Sequence, residues 1–159
     1  MMQLSSVAGR EQAIDAMIAL TRLSNQHRVI VAGRQSMELL VSLRRRGFAR
    51  ISTPATCSGP RRQHSTALII AETSQTATEA VLAEVSRLLA ANATIAILMS
   101  SRGGEFCLNI RKKLEQIGFS IEAGVRCQEG LVLSASRQGF SQGFCQAFGR
   151  DPARMETAA

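Results

Sequence analysis

Of the chain's nineteen lysines and arginines, eight fall between His27 and His64, at Arg28, Arg34, Arg44, Arg45, Arg46, Arg50, Arg61 and Arg62. Of its twelve acids only Glu38 lies there, which leaves eleven of each sign elsewhere and places the whole formal charge of +7 in this segment. Guanidinium groups at such density attract anions: a phosphate-bearing small molecule, a nucleic-acid backbone or the acidic face of a partner protein. Cys57 sits in the same segment near Arg61 and Arg62, which would favour a nucleophilic thiolate, a reading that competes with an incidental thiol. The two histidines, His27 before a predicted strand and His64 in a polar loop, read first as incidental residues of those elements, with general-base work as the competing minor reading. Cys57, Cys107, Cys127 and Cys145 form no CxxC pair and have no histidine pair beside them, so no metal site is expected. The absence of tyrosine and tryptophan removes tyrosine acid/base chemistry and weakens base stacking on aromatic platforms.

The elements that must position these groups follow from apolar periodicity. Residues 11–24 place Ile14, Met17, Ile18 and Thr21 at helical spacing. The run RVIVA (residues 28–32) reads as a strand ending at Gly33, after which Met37, Leu40, Val41 and Leu43 mark a helix that stops at Gly47. FARIST (residues 48–53) reads as a short strand, closed by Pro54 and the loop CSGPRRQHS. TALIIAE (residues 66–72) and TIAILM (residues 94–99) are continuous apolar runs suited to strands buried on both faces. Between them, residues 77–90 carry a helical stripe that ends in an expected turn at AANA. A further helix runs through Phe106, Ile110, Leu114 and Ile117 to Gly118. SIEAGVRC and LVLSAS then form an antiparallel hairpin, because the turn between them is too short to reconnect parallel strands.

Strands alternating with helices predict an α/β fold, a Rossmann-like three-layer sandwich whose mostly parallel sheet ends in a C-terminal antiparallel hairpin. The length predicts one α/β domain over residues 1–137, N-terminal helix included, and a tail over residues 138–159 that is partly disordered or packed on a partner. Phe140, Phe144 and Phe148, spaced by four, would suit packing on the body or on a second copy, which makes a homodimer an expected assembly. Arg111, Lys112 and Lys113, diluted by Glu105 and Glu115, read as a solvated helix face. No apolar run reaches membrane-span length and the N-terminus lacks a signal-peptide pattern, so a cytoplasmic protein without membrane contact is expected.

EAVLAEVSRLLAANATIAILMSS followed by LNIRKKLEQIGFSIEAGVRCQEGLVLSAS gives helix, strand, helix, a glycine–phenylalanine turn and a closing hairpin. In order and spacing, residues 27–137 resemble the S-adenosylmethionine-dependent methyltransferases of the Rossmann-like type. The resemblance implies a cofactor turn after the first strand, where a backbone without side chains lets the ligand approach. Gly33 matches it, with Arg34 and Ser36 in the same turn and Glu72 as a distant carboxylate. The rest of the pattern is missing. Where the family holds the ribose hydroxyls with an acid after the second strand, this chain has Thr53, Pro54, Ala55 and Thr56. The Asn/Asp-Pro-Pro-aromatic motif of amino-methylating enzymes is replaced by Glu72, Thr73, Ser74 and Gln75, so no catalytic residue is assigned. The stretch between the second strand and TALIIAE is also too short for the helix and strand the family places there.

The expected function is a degenerate methyltransferase-like domain that no longer transfers methyl groups. It would act as a binding or assembly module with a basic crevice for an anionic ligand or protein partner. No cofactor is expected in that reading. Two alternatives stand beside it: an active methyltransferase binding S-adenosylmethionine through divergent contacts, and a nucleic-acid-binding protein using Arg34, Arg44, Arg45, Arg46, Arg50, Arg61 and Arg62. A nicotinamide dehydrogenase is remote, because the chain has neither a full GxGxxG pattern nor a substrate domain.

Overall fold

The computed structural model describes residues 2–57, 63–100 and 104–137, with side chains from residue 8 onward. Arg61, Arg62, Cys145, the three tail phenylalanines and the whole of residues 138–159 lie outside the described residues.

Three central strands, β1 (Val29–Gly33), β3 (His64–Ile70) and β4 (Leu89–Met99), place successive side chains on opposite faces of one sheet. Val29 and Val31, Leu68, and Ala96 with Leu98 enter one core. Ile30 and Ala32, Ala67 and Ile69, and Ile95 with Ile97 enter the other. Strands apolar on both faces must be covered on both. Helix α1 (Met2–Thr21) and helix α2 (Ser36–Arg45) cover the first face, burying Ala13, Ile14, Met17, Leu39, Leu40 and Leu43. Helices α3 (Gln75–Leu88) and α4 (Gly104–Gln116) cover the second through Leu82, Val85, Ile110 and Leu114.

With β2 (Ile51–Ser52), β5 (Ser120–Cys127) and β6 (Gly130–Ser136), the six strands lie in the order β2-β1-β3-β4-β6-β5. The pairs β1–β2, β1–β3 and β3–β4 are parallel, while β4–β6 and β5–β6 are antiparallel. This is the expected mixed three-layer arrangement. From β1 the sheet grows outward in both directions, with α2 crossing over one face and α3 over the other. The crossover sense therefore reverses between β1 and β3, and open sheets hold ligands at such a point.

Several boundaries differ from the sequence expectation for identifiable reasons. Helix α1 runs from Met2 to Thr21 instead of over residues 11–24, and its end coincides with the left-handed Arg22 at φ 53°. The FARIST strand shrinks to Ile51–Ser52 because Thr53 and Thr56 bond to each other and turn the chain away. The expected turn at AANA is instead the start of β4, and α3 passes into that strand without a loop. Arg137 explains how. Its guanidinium donates to the carbonyls of Ser86, Leu89 and Ala90, its backbone N–H to that of Ala93, and it lies 5.0 Å over the Phe119 ring. The carbonyls at the end of α3 are thereby satisfied while the chain extends.

At the start of β6, Gly130 has φ 146°, and a Cβ there would stand 2.0 Å from the Met99 carbonyl oxygen. Gly130→Ala is expected to lower unfolding free energy by more than about 2 kcal/mol. Urea denaturation checks this, and a loss under about 0.5 kcal/mol would mean that the hairpin moves freely away from β4.

Candidate functional site

The reversal point between β1 and β3 opens into a crevice of about 190 Å³ at the carboxyl ends of the parallel strands. Arg34 and Gln35 reach it from the end of β1, Ile70, Ala71, Glu72 and Thr73 from β3, and Leu98 and Ser100 from β4. Arg10 of α1 and Glu129 of the β5–β6 turn complete the wall.

Gly33 determines how the β1 side is built. It has φ 89°, and a Cβ would lie 2.0 Å from the Ile70 carbonyl oxygen, which also accepts the Arg34 backbone N–H at 2.9 Å. The close approach that demands glycine here comes from strand β3. Gln35 then takes φ 57° and ψ 35° before α2 starts, and its side chain forms no cap bond. The turn thus has left-handed residues at 33 and 35, with glutamine in a conformation that costs a residue bearing a Cβ about 1 kcal/mol.

The β3 side is held by side chains at the start of α3. Ser74 caps the helix by accepting the Ala77 N–H at 3.0 Å. Buried Thr78 accepts the Glu72 backbone N–H at 2.9 Å and donates to the Ser74 carbonyl at 3.0 Å. Glu72 is fixed at the rim by its backbone, which leaves its carboxylate toward the opening. On the remaining side α1 meets the hairpin turn so closely that a Cβ on Gly9 would stand 3.0 Å from a Glu129 carboxylate oxygen.

The electrostatics differ from a basic crevice. Arg10 and Arg34 face Glu72 and Glu129, and Arg10 is ion-paired with Glu38 of α2. Arg34 is the one expected anion-binding arginine, among the described residues, that lines the opening, and Ser36 stands one residue beyond the lining. Arg44, Arg45 and Arg46 lie at the far end of α2, about 15 Å along its axis. Arg28 and Arg50 precede β1 and β2, so they lie at the opposite, amino-terminal edge of the sheet. Arg50, counted among the expected anion-binding arginines, thus stands away from the crevice, and its guanidinium donates to the Gln26 carbonyl at 3.4 Å. Arg46 is committed elsewhere, bridging α2 to Glu11 and Asp15 of α1. Burial lowers its proton affinity, but hydrogen bonds and charge from Asp15 and Glu11 outweigh that and raise it above the ordinary arginine value.

At the end of β2, Thr53 and Thr56 form a closed unit. The Thr53 N–H donates to Thr56 Oγ1 at 3.0 Å, the two hydroxyls are 3.0 Å apart, and the Thr56 N–H donates to the Thr53 carbonyl at 3.0 Å. Beyond it, two groups weighed separately in the sequence come together: Cys57 Sγ lies 4.0 Å from His64 Nε2. His64 is 7% exposed. Burial lowers its proton affinity below the ordinary value, the Leu88 backbone opposes this, and the charge of Arg28 adds to it. Sequence reasoning missed Arg10, Gln35 and Glu129. A Gly-x-Gln triplet directly after a buried strand was the available sign for Gln35, whereas Arg10 and Glu129 meet only through the packing of α1 on the hairpin.

No protein-family model matches the chain, and no curated protein matches it by sequence. The fold is similar to that of magnesium protoporphyrin IX methyltransferase from Synechocystis, at 15% identity over 82% of this chain and 81% of that one, with a TM-score of 0.56. It is similarly close to 1,6-didemethyltoxoflavin-N1-methyltransferase from Burkholderia thailandensis, at 15% identity over 82% and 79%, TM-score 0.55. The [4+2]-cyclase SpnF shares it at 11% identity over 80% and 81%, TM-score 0.58. The chain thus has the fold of S-adenosylmethionine-dependent methyltransferases, and the presence of a cyclase among these similar structures shows that this fold does not fix the reaction.

Two measurements check this geometry. Gln35→Gly is expected to stabilise the protein by about 1 kcal/mol in urea unfolding, since glycine adopts the left-handed conformation freely. His64, with its folded proton affinity below the unfolded value, contributes stability that is present above about pH 6.5 and is lost as pH falls toward the folded pKa. Unfolding free energy measured from pH 7 to pH 5 should therefore decline less steeply in His64→Gln than in the wild type.

Proposed function

We propose that this protein is a methyltransferase-fold binding module whose crevice receives a small anionic group at Arg34 and does not transfer methyl groups. The observation that carries the reading is the Thr53–Thr56 turn at the end of β2. Its hydroxyls and backbone groups bond to one another and neither threonine lines the crevice, so the end of β2 offers the opening no carboxylate to grip a ribose. The crevice volume of about 190 Å³ supports it, because pockets for nucleoside-sized ligands start at roughly 300 Å³. The charged edge formed by Arg28, Arg44, Arg45 and Arg50 is the surface on which an acidic partner or nucleic acid would dock, apart from the crevice.

A second reading, an active methyltransferase, is favoured by the retained left-handed turn at Gly33 and Gln35 and by the carboxylate of Glu72 at the rim. Similar structures hold bound S-adenosylmethionine or S-adenosylhomocysteine. In this reading α1 and the β5–β6 turn must move apart to admit the nucleoside.

Thermal unfolding with millimolar S-adenosylmethionine or S-adenosylhomocysteine separates the two. The binding-module reading expects no rise in Tm with either, and a rise with inorganic phosphate that Arg34→Gln abolishes. A ligand present at a hundred times its Kd adds about 2.7 kcal/mol, which is readily seen. Stabilisation by S-adenosylmethionine together with methyl transfer to any acceptor would establish the second reading and end the first. Charge reversal at Arg44 and Arg45 should weaken salt-sensitive binding to an anionic polymer such as heparin without changing the phosphate response.

A further inference from the structure

The pair Cys57–His64 lies apart from the crevice, at the amino-terminal edge of the sheet. We propose that Cys57 is a reactive thiol, activated by His64 as general base, that exchanges with small anionic disulfides to form a mixed disulfide at this edge.

Three observations carry the inference. Cys57 is half-buried and its sulfur lies 4.0 Å from His64 Nε2, a contact within reach of an S–H···N hydrogen bond. His64 is 7% exposed, and its Nδ1 has no hydrogen-bond partner among the described residues. Among the described residues the ring is tied to no carboxylate; the Leu88 backbone is its hydrogen-bonding neighbour on the main chain, and the thiol is the side chain it meets at hydrogen-bond distance. Arg28, which opens β1, acts on His64 through its charge, and its guanidinium also bonds Gln63. The groups facing the imidazole are then the thiol from the β2–β3 connection, the Arg28 cation before β1 and the Leu88 backbone at the end of α3. Among the described residues no carboxylate is paired with His64. A neutral imidazole nitrogen at hydrogen-bond distance from a thiol is placed to accept its proton.

The step balances without a further reagent. As Cys57 Sγ attacks one sulfur of the disulfide, its proton passes to Nε2, the new S–S bond forms and the original one breaks. The departing thiolate takes the proton from Nε2 and leaves as a thiol, which restores neutral His64. Arg28 favours a disulfide that carries carboxylates.

The test uses the full chain with oxidised glutathione and, separately, iodoacetamide, reading modification at each cysteine by peptide mass spectrometry. Cys57 is expected to react roughly tenfold or more faster than Cys107 and Cys127 at pH 7, and Cys57→Ser removes the fast phase. Its rate should fall less steeply from pH 7 to pH 6 than that of an ordinary thiol, which loses about tenfold per unit. His64→Gln should slow Cys57 roughly tenfold and return it to that ordinary slope. Equal rates at Cys57, Cys107 and Cys127 in the wild type overturn the proposal, and this reading does not depend on the variant folding. A folded His64→Gln protein with an unchanged Cys57 rate overturns it as well. A fast Cys57 that takes iodoacetamide but no glutathione refutes the disulfide-exchange step.

Discussion

Every feature of this molecule depends on strands β1, β3 and β4 being apolar on both faces. A strand of that kind cannot lie at a surface: its backbone needs neighbours on two sides and its side chains need cover above and below. Val31 and Ile30, Leu68 and Ile69, and Ala96 and Ile97 point in opposite directions into two separate cores. Those pairs account for the two helix layers. The need to place α2 and α3 on opposite faces then forces the crossover reversal between β1 and β3. The crevice is a by-product of covering the sheet, and its location is set before any lining residue is chosen.

That independence explains how the site can depart so far from a nucleoside-binding pattern while the scaffold persists. Gly33 is required by the Ile70 carbonyl, so it would be needed even without a ligand. Gln35, the Thr53–Thr56 turn and the Arg10–Glu38 pair belong to this chain's own surface. The arginines divide between roles: Arg46 fastens α2 to α1, Arg137 closes the end of α3, and Arg34 faces the opening. One residue type therefore serves as a strap, a helix cap and an anion contact, depending on where the backbone delivers it.

The sequence made the fold legible where burial is two-sided and periodic. The central strands, the helical stripes through Leu82 and Val85 or Ile110 and Leu114, and the closing hairpin all lay where the apolar pattern put them. It misled where a long-range contact outweighs local preference. AANA reads as a turn because alanine and asparagine tolerate one, and nothing local announces that Arg137, far along the chain, will satisfy the carbonyls there. The site was less legible for the same reason. Charge density in residues 27–64 is a fact about the chain, but strand direction sends Arg34 to one edge of the sheet and Arg28 and Arg50 to the other. Cys57 and His64, each unremarkable alone, become a pair because β3 begins where the β2 connection returns.

The loopless passage from Leu88 into Leu89 also governs how this chain can change length. An inserted residue there meets the irregularity that follows, where His64 to Thr66 of β3 runs beside Leu89 to Thr94 of β4, so it can be taken up before the regular pairing begins at Thr94 and leave the two cores in place. What it would displace is the clasp of Arg137 on the Ser86, Leu89 and Ala90 carbonyls, so fusion, tagging and permutation of the protein should spare this joint.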